Sequence, residues 1–419
     1  MVLFARTAAQ AGSRSHSLLL LNKAELAGQD WHYLPRFGSI GMRGIPLGGI
    51  RWNRCKIGRN ALIGQPGQGL EIALKSFQLT RAALPGMFLG ILDTGLRCAM
   101  RYAGARRLYG KTVLDIPHSR TVLAEAFADL LVADCVGNVM TRALHVVPAA
   151  GSVYAAACKF LVPQLLLGAM GSLSALFGAQ FYIRDGEHSI FQKLLRDLKP
   201  ASFGHAARVT CQMSILPQLP GLAKRAWGQP AVLPEAWFRL DADLPDFDFA
   251  ALTLSNGNAD LLMASLPAVL ERVRTEPALA RQADFLAERF VQVQKACAAL
   301  PPAELGVNAG ADSYTLCRHA VLLHAAAACL NLWWYNRDYF AVHDPFMADP
   351  ETLSILLQRL ADRFDQGIRP ITAPQCRHLF DALQQRYAEG VSFDLDCGPL
   401  PGWQAADRHA DIPEFNPDH

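Results

Sequence analysis

The sequence predicts a mainly α-helical protein with a small β part at its N-terminal end. Two observations carry this. From Leu70 onward, apolar residues recur every three or four positions: Phe88, Ile91, Leu92, Gly95, Ala99 and Tyr102 line one helical face. Before Gly67 the pattern is different: short apolar runs are separated by Gly- and Ser-containing linkers, and Ile50–Ile57 alternates apolar and polar residues as a half-exposed strand does.

Taken in order, Val2–Ala5 and Ser17–Leu21 read as strands, followed by the glycine-dense segment Gly38–Pro46. Gly64–Gly69 is a turn that launches a long helix, and Pro85-Gly86 is expected to bend that helix without ending it. Further helices are expected at Ser119–Val147, Tyr154–Phe177, Ile190–Leu198 and Ala206–Leu216. Pro217, Pro220, Pro230 and Pro234 then punctuate a stretch, 217–258, that reads as a linker. Four helical patterns follow: Ala259–Leu300, broken near Pro277, then Asp312–Trp334, Pro350–Gln366 and Ala373–Tyr387. Residues 399–419 read as a poorly ordered tail. The expected division is therefore 1–66, 67–216, a linker 217–258, an additional helical domain 259–398, and the tail.

Composition narrows the function. With 419 residues, 51% hydrophobic and 18% charged, the chain can bury a large core. A formal charge of +3 gives no argument for nucleic acid or an anionic membrane. The ten cysteines include no C-x-x-C pair and read as reduced thiols of a cytoplasmic protein. No secretory signal is seen; Arg6, Arg14 and the absence of acid before Glu25 imitate a transit peptide, but an interior strand is the preferred reading. The apolar run Phe160–Phe177 contains Pro163, Gln164 and glycines, which suits a buried helix better than a membrane span. His319 and His324 are five residues apart, a poor spacing for a shared metal, and Trp333, Trp334 and Tyr335 read as core or interface aromatics. No metal is expected.

Several motifs occur in a set order. They are VLFART at Val2–Thr7, SLLLLNK at Ser17–Lys23, GMRGIP at Gly41–Pro46, IRWNRCKIGRNALIG at Ile50–Gly64, GQGL at Gly67–Leu70, RYAGARRLYGK at Arg101–Lys111 and LLRDLK at Leu194–Lys199. Together, with 25 residues between Arg81 and Arg106, they resemble the second half of an acyl-CoA dehydrogenase. The resemblance implies a partial middle β-domain over 1–66 and the family's C-terminal four-helix bundle over 67–216, with an additional helical domain after it. It implies FAD as cofactor, an acyl-CoA or related thioester as substrate, and a homo- or hetero-oligomer.

The same resemblance implies roles for particular residues. Arg106, Tyr109 and Gly178 match positions that contact the flavin nucleotide of a neighbouring subunit, and Arg81 matches one near the acyl thioester. A guanidinium fork suits a diphosphate; cations that cap a helix C-terminus are the structural alternative. The family's general base is a glutamate at one of two places, and here Thr80 and Gly204 stand there. A register shift of one residue brings His205 to the second place, and histidine is a competent base. The family's Q-x-L-G-G segment reads Ser174–Gly178, with Phe177 where backbone approaches the ligand. The N-terminal helical domain and the strands that hold the flavin ring have no counterpart, so the chain is expected to be incomplete relative to the family. The expected function is α,β-oxidation of an acyl thioester. The alternatives are a non-catalytic remnant or partner subunit, and a flavin monooxygenase working through His205.

Overall fold

The structure is a computed structural model that describes residues 1–26, 28–365 and 367–401. The expected disorder of the tail falls almost wholly on residues outside those described. Strands β1 (Val2–Arg6) and β2 (His16–Leu20) pair antiparallel, with Val2 opposite Leu20. β3 (Trp31–Tyr33) pairs with β4 (Ile50–Trp52) as a separate ribbon, and β5 (Leu62–Ile63) completes the first sheet in the order β1-β2-β5. The expected strand Ile50–Ile57 is thus cut short, because Arg54 turns into the left-handed region at φ 53°.

Helix α1 (Gly69–Ala105) is 37 residues long and runs through Pro85 without interruption. Proline removes one backbone hydrogen bond, but the buried face formed by Phe88, Leu92, Leu96, Ala99 and Ala103 holds the helix together across it. Backbone contact requires glycine at Gly69, and a side chain at Gly95 would displace the flexible end of Met170. A Cβ at Gly69 would lie 2.7 Å from the Ser17 backbone, and one at Gly95 would lie 2.4 Å from the Met170 sulfur. α1 therefore rests its start on β2 and its middle against a later helix.

A small hairpin follows, β6 (Arg107–Leu108) with β7 (Lys111–Thr112). Then come α2 (Pro117–Val146), opened by proline at its first position, and α3 (Gly151–Phe177). α4 (Ser189–Leu198) and α5 (Arg208–Ile215) close the bundle. The first half of α3 is apolar around its circumference because α1, α2, α5 and a later helix pack on it, while Gly168, Gly171, Ser172 and Ala175 leave one face of its second half exposed. Pro148–Tyr182 and Ala311–Tyr335 are long and apolar enough to cross a membrane by length and composition; 56% and 78% of their most apolar windows are buried within the protein.

The 217–258 stretch is not an exposed tether. It contains α6 (Leu219–Arg225) and buries Trp227, Trp237 and Phe238. Trp237 donates its indole N–H to the Val139 carbonyl at 2.8 Å, and Arg142 of α2 donates to the carbonyls of Ala236, Arg239 and Ala242. After it run α7 (Leu261–Val273), α8 (Ala280–Ala299), α9 (Ala311–Tyr335), α10 (Arg337–His343), α11 (Pro345–Ala348), α12 (Pro350–Ala361) and α13 (Ala373–Glu389). These pack on α2 and α3, so one hydrophobic core extends from Phe88 to Leu395. A buried fork fixes the join: Arg359 of α12 donates to both oxygens of Asp129 on α2, at 3.1 and 2.9 Å.

Candidate functional site

α1 is a rod, and the residues of interest sit at two places along it. Arg81 and Arg106 are 25 positions apart, roughly 37 Å of helix. No single small ligand bound to one chain touches both.

At the first place, Arg81 is 5% exposed and its Nε has no hydrogen-bond partner. Burial pushes its guanidinium below the ordinary value, against the influence of Cys211. Lys159 of α3, 1% exposed, shares this neighbourhood; burial lowers its pKa too, and it donates to the Ala201 carbonyl at 2.7 Å. Burial raises the Cys211 thiol, which keeps it a neutral neighbour of both cations. Neither Arg81 nor Lys159 makes an ion pair among the described residues. Two buried cations without a carboxylate form a fixed positive field able to stabilise an oxyanion or a polarised carbonyl.

Ala201 belongs to the loop that carries His205. The loop is tightened by Gly204 N–H donating to the Pro200 carbonyl at 2.7 Å, and His205 adopts φ 61°, unusual for a residue with a side chain. Its ring is exposed and meets Phe77 edge-on at 6.1 Å, one helical turn before Arg81. The structure therefore brings His205 and Arg81 to the same stretch of α1. Thr80, beside them, donates its hydroxyl to the Phe77 carbonyl, and Gly204 offers no side chain.

At the far place, Tyr102 stacks on Phe177 at 4.7 Å and donates its hydroxyl to the Phe177 carbonyl at 3.2 Å. That contact ties the end of α3 to the end of α1 and puts Gly178 beside the region of Arg106. Phe177 is 1% exposed. Its bulk points into the core, and a Cβ at Gly178 would meet nothing within 4 Å. The large residue is thus compatible with an open backbone face. Beyond Arg106 the hairpin turns at Tyr109 and Gly110, with φ of 53° and 77°, the two left-handed residues of a tight primed turn. Tyr109 is 97% exposed. Arg106 and Arg107 are exposed and form no side-chain hydrogen bond among the described residues, while the nearest acid, Asp115, is bound to Thr112 and Arg120. Exposed cations with no acid among them, on an aromatic-tipped hairpin, are a donor set that fits a diphosphate.

Two residues of the first place were not evident from the sequence. Lys159 did leave a signal, as the one cation within the apolar run Val153–Leu167. Cys211 left none. His319 approaches the Phe364 carbonyl at 3.0 Å and His324 is wholly buried, so the two serve separate contacts. Among the described residues no group of three or more His, Cys, Asp or Glu side chains is placed to hold a metal ion.

Comparison with known proteins matches residues 67–205 to the acyl-CoA dehydrogenase C-terminal domain. Over 86 residues the chain is 32% identical to the short-chain specific acyl-CoA dehydrogenase of Homo sapiens mitochondria, which covers 20% of this chain and 21% of that protein. Over 166 residues it is 25% identical to a probable acyl-CoA dehydrogenase of Mycobacterium tuberculosis, covering 39% of this chain and 42% of the other. The matches thus span between about a fifth and two-fifths of the relatives' lengths. In fold, the chain is similar to an acyl-CoA dehydrogenase complexed with FAD from Bacillus anthracis, with a TM-score of 0.60 at 11% identity over 88% of this chain and 62% of that one.

Proposed function

We propose, from the premise that this chain belongs to the acyl-CoA dehydrogenase family, that it is a dehydrogenase-like flavoprotein of an oligomer, acting on an acyl thioester in the cytoplasm. The observation that carries the reading is the length of α1. Its two functional places lie too far apart for one site, which supports the arrangement implied by the family resemblance, in which one helix serves two sites and one of them belongs to a neighbouring subunit. Arg106, Arg107 and Tyr109 hold the diphosphate of the neighbour's FAD. Arg81 and Lys159 stabilise negative charge that develops on the thioester carbonyl while the α-proton leaves. His205, beside them, takes that proton. FAD, when bound, supplies the acceptor for the β-hydride.

A second reading has its own observation. Thr80 and Gly204 cannot act as bases, so the chain serves instead as a partner subunit that lends Arg106 and Tyr109 to a complete homologue. Purified full-length chain, titrated with FAD and followed by visible absorption, separates the two. The enzyme reading expects flavin bound in an oligomer, its anaerobic reduction by an acyl-CoA, and a reduction rate about 10²- to 10⁴-fold lower in His205→Gln. Absence of flavin binding by the chain at high concentration overturns it. Flavin bound only in mixtures with a complete homologue establishes the partner reading.

A further inference from the structure

The small net charge conceals an uneven distribution. Between Asp30 and Glu71 the chain holds six arginine or lysine residues and no acid. With a total of +3, the remainder is net negative. Much of this basic stretch is one hairpin. β3 and β4 form its base, and the pairing continues outward as Leu34 N–H donates to the Gly49 carbonyl and Phe37 N–H to the Leu47 carbonyl, each at 2.8 Å. Toward the tip, large apolar side chains stand in water: Phe37 is 75% exposed, Ile40 64% and Leu47 50%.

The tip also forms one wall of a cleft of about 420 Å³, whose other wall is Arg184 and the outer face of α4. Gly41 lets the two walls touch, since a Cβ there would lie 2.5 Å from the Arg196 carbonyl oxygen. Arg43, Arg184, Lys193 and Arg196 line the cleft against a single acid, Asp197. That acid is already committed: Oδ1 accepts the Met42 N–H and Oδ2 the Lys193 ammonium, both at 2.5 Å. Three guanidinium groups therefore face a cleft whose one carboxylate is already held by the Met42 N–H and Lys193.

We propose that this face docks on an anionic lipid bilayer, seating a lipid phosphate among Arg43, Arg184 and Arg196 while Phe37, Ile40 and Leu47 enter the headgroup–acyl boundary. The pairing of cations with exposed apolar residues selects this partner. A soluble phosphate gains nothing from Phe37, Ile40 and Leu47. A nucleic acid is held by stacking surfaces, which aliphatic Ile40 and Leu47 do not provide. A bilayer surface uses both features at once.

Co-sedimentation of the full-length protein with phosphatidylglycerol-containing and pure phosphatidylcholine vesicles tests this. Binding is expected to the anionic vesicles only, weakening with added salt. Arg43→Ser combined with Arg184→Ser is expected to lower it about 25-fold, at roughly fivefold per basic residue. Phe37→Ser with Ile40→Ser is expected to lower it as well. All four positions are exposed, and an unchanged thermal unfolding profile certifies the fold. Equal partition to both vesicles, or anionic binding unmoved by the arginine pair, overturns the proposal. Binding of inorganic pyrophosphate without vesicle binding, or of single-stranded RNA in its place, overturns it too.

Discussion

His324 Nε2 lies 2.9 Å from Asp260 Oδ2, with both side chains fully buried. The other ring nitrogen, Nδ1, lies 2.7 Å from the Ala320 carbonyl. A neutral imidazole donates from one nitrogen only, and here both face acceptors, an arrangement that favours the imidazolium. Asp260 also accepts from Trp227 Nε1 at 2.8 Å, Tyr154 Oη at 3.0 Å and the Met263 N–H at the start of α7. Burial opposes charge on both groups. Their mutual attraction and hydrogen bonds outweigh it, holding His324 above its usual value of 6.5 and Asp260 below 3.8.

The pair predicts a stability plateau in pH. His324's contribution is complete below pH 6.5 and is lost as pH rises through its raised folded value; Asp260's is complete above pH 3.8 and is lost as pH falls through its depressed one. Urea midpoints should fall on both sides of that window. His324→Ala leaves a buried carboxylate unpaired and should cost about 3–5 kcal/mol inside it. A midpoint independent of pH on the alkaline side would contradict the assignment.

Asp134 of α2 superimposes on this a loss between pH 3.8 and about 7, complete before the alkaline side is reached. Burial pushes its carboxyl up to about 7, although Leu395 N–H donates to it at 2.8 Å. An acid raised from 3.8 to about 7 contributes its stability below the lower value and loses it as pH rises through the upper one. Asp134→Asn keeps an acceptor for Leu395 and removes the charge. At alkaline pH it should exceed the parent in stability by on the order of a few kcal/mol, and the gain should vanish in acid.

Arg81 should separate stability from binding. A buried guanidinium without a carboxylate is a standing cost. Arg81→Met fills the same space with apolar atoms and is expected to raise stability by about 1–3 kcal/mol, measured by urea unfolding, while weakening acyl-thioester binding measured by calorimetry. Lower stability in this variant would mean that Arg81 is structural.

Tyr109 should behave in the same divided way. A primed turn favours asparagine before glycine, and an exposed tyrosine at φ 53° is strained. Tyr109→Asn is expected to stabilise the hairpin by about 0.5–1 kcal/mol and to lower flavin affinity. Unchanged affinity would remove Tyr109 from the nucleotide contact.

Local pattern made most of the bundle legible. α2, α3 and α4 begin within three residues of their expected starts because apolar periodicity and an opening proline are local signals. α6, α10 and α11 were not foreseen, being four to seven residues long and bounded by proline or asparagine. Prolines in 217–258 mark turns correctly but say nothing of burial, which Trp227 and Trp237 reveal only in three dimensions. At the candidate site, the separation of Arg81 from Arg106 was readable from helix geometry. The inward direction of Phe177 and the pairing of Asp260 with His324, 64 residues apart, depend on packing that no window of sequence contains.

The shared core also bears on how the chain is made. α2 and α3 leave the ribosome before α9, which packs on both, and before α12 and α13, which pack on α2. At the usual pace of synthesis that cover arrives roughly ten to forty seconds later. During this interval α3 has α1, α2, α4 and α5 against it, while the apolar faces of α2 and α3 that α9 covers stay open to water and to unwanted association.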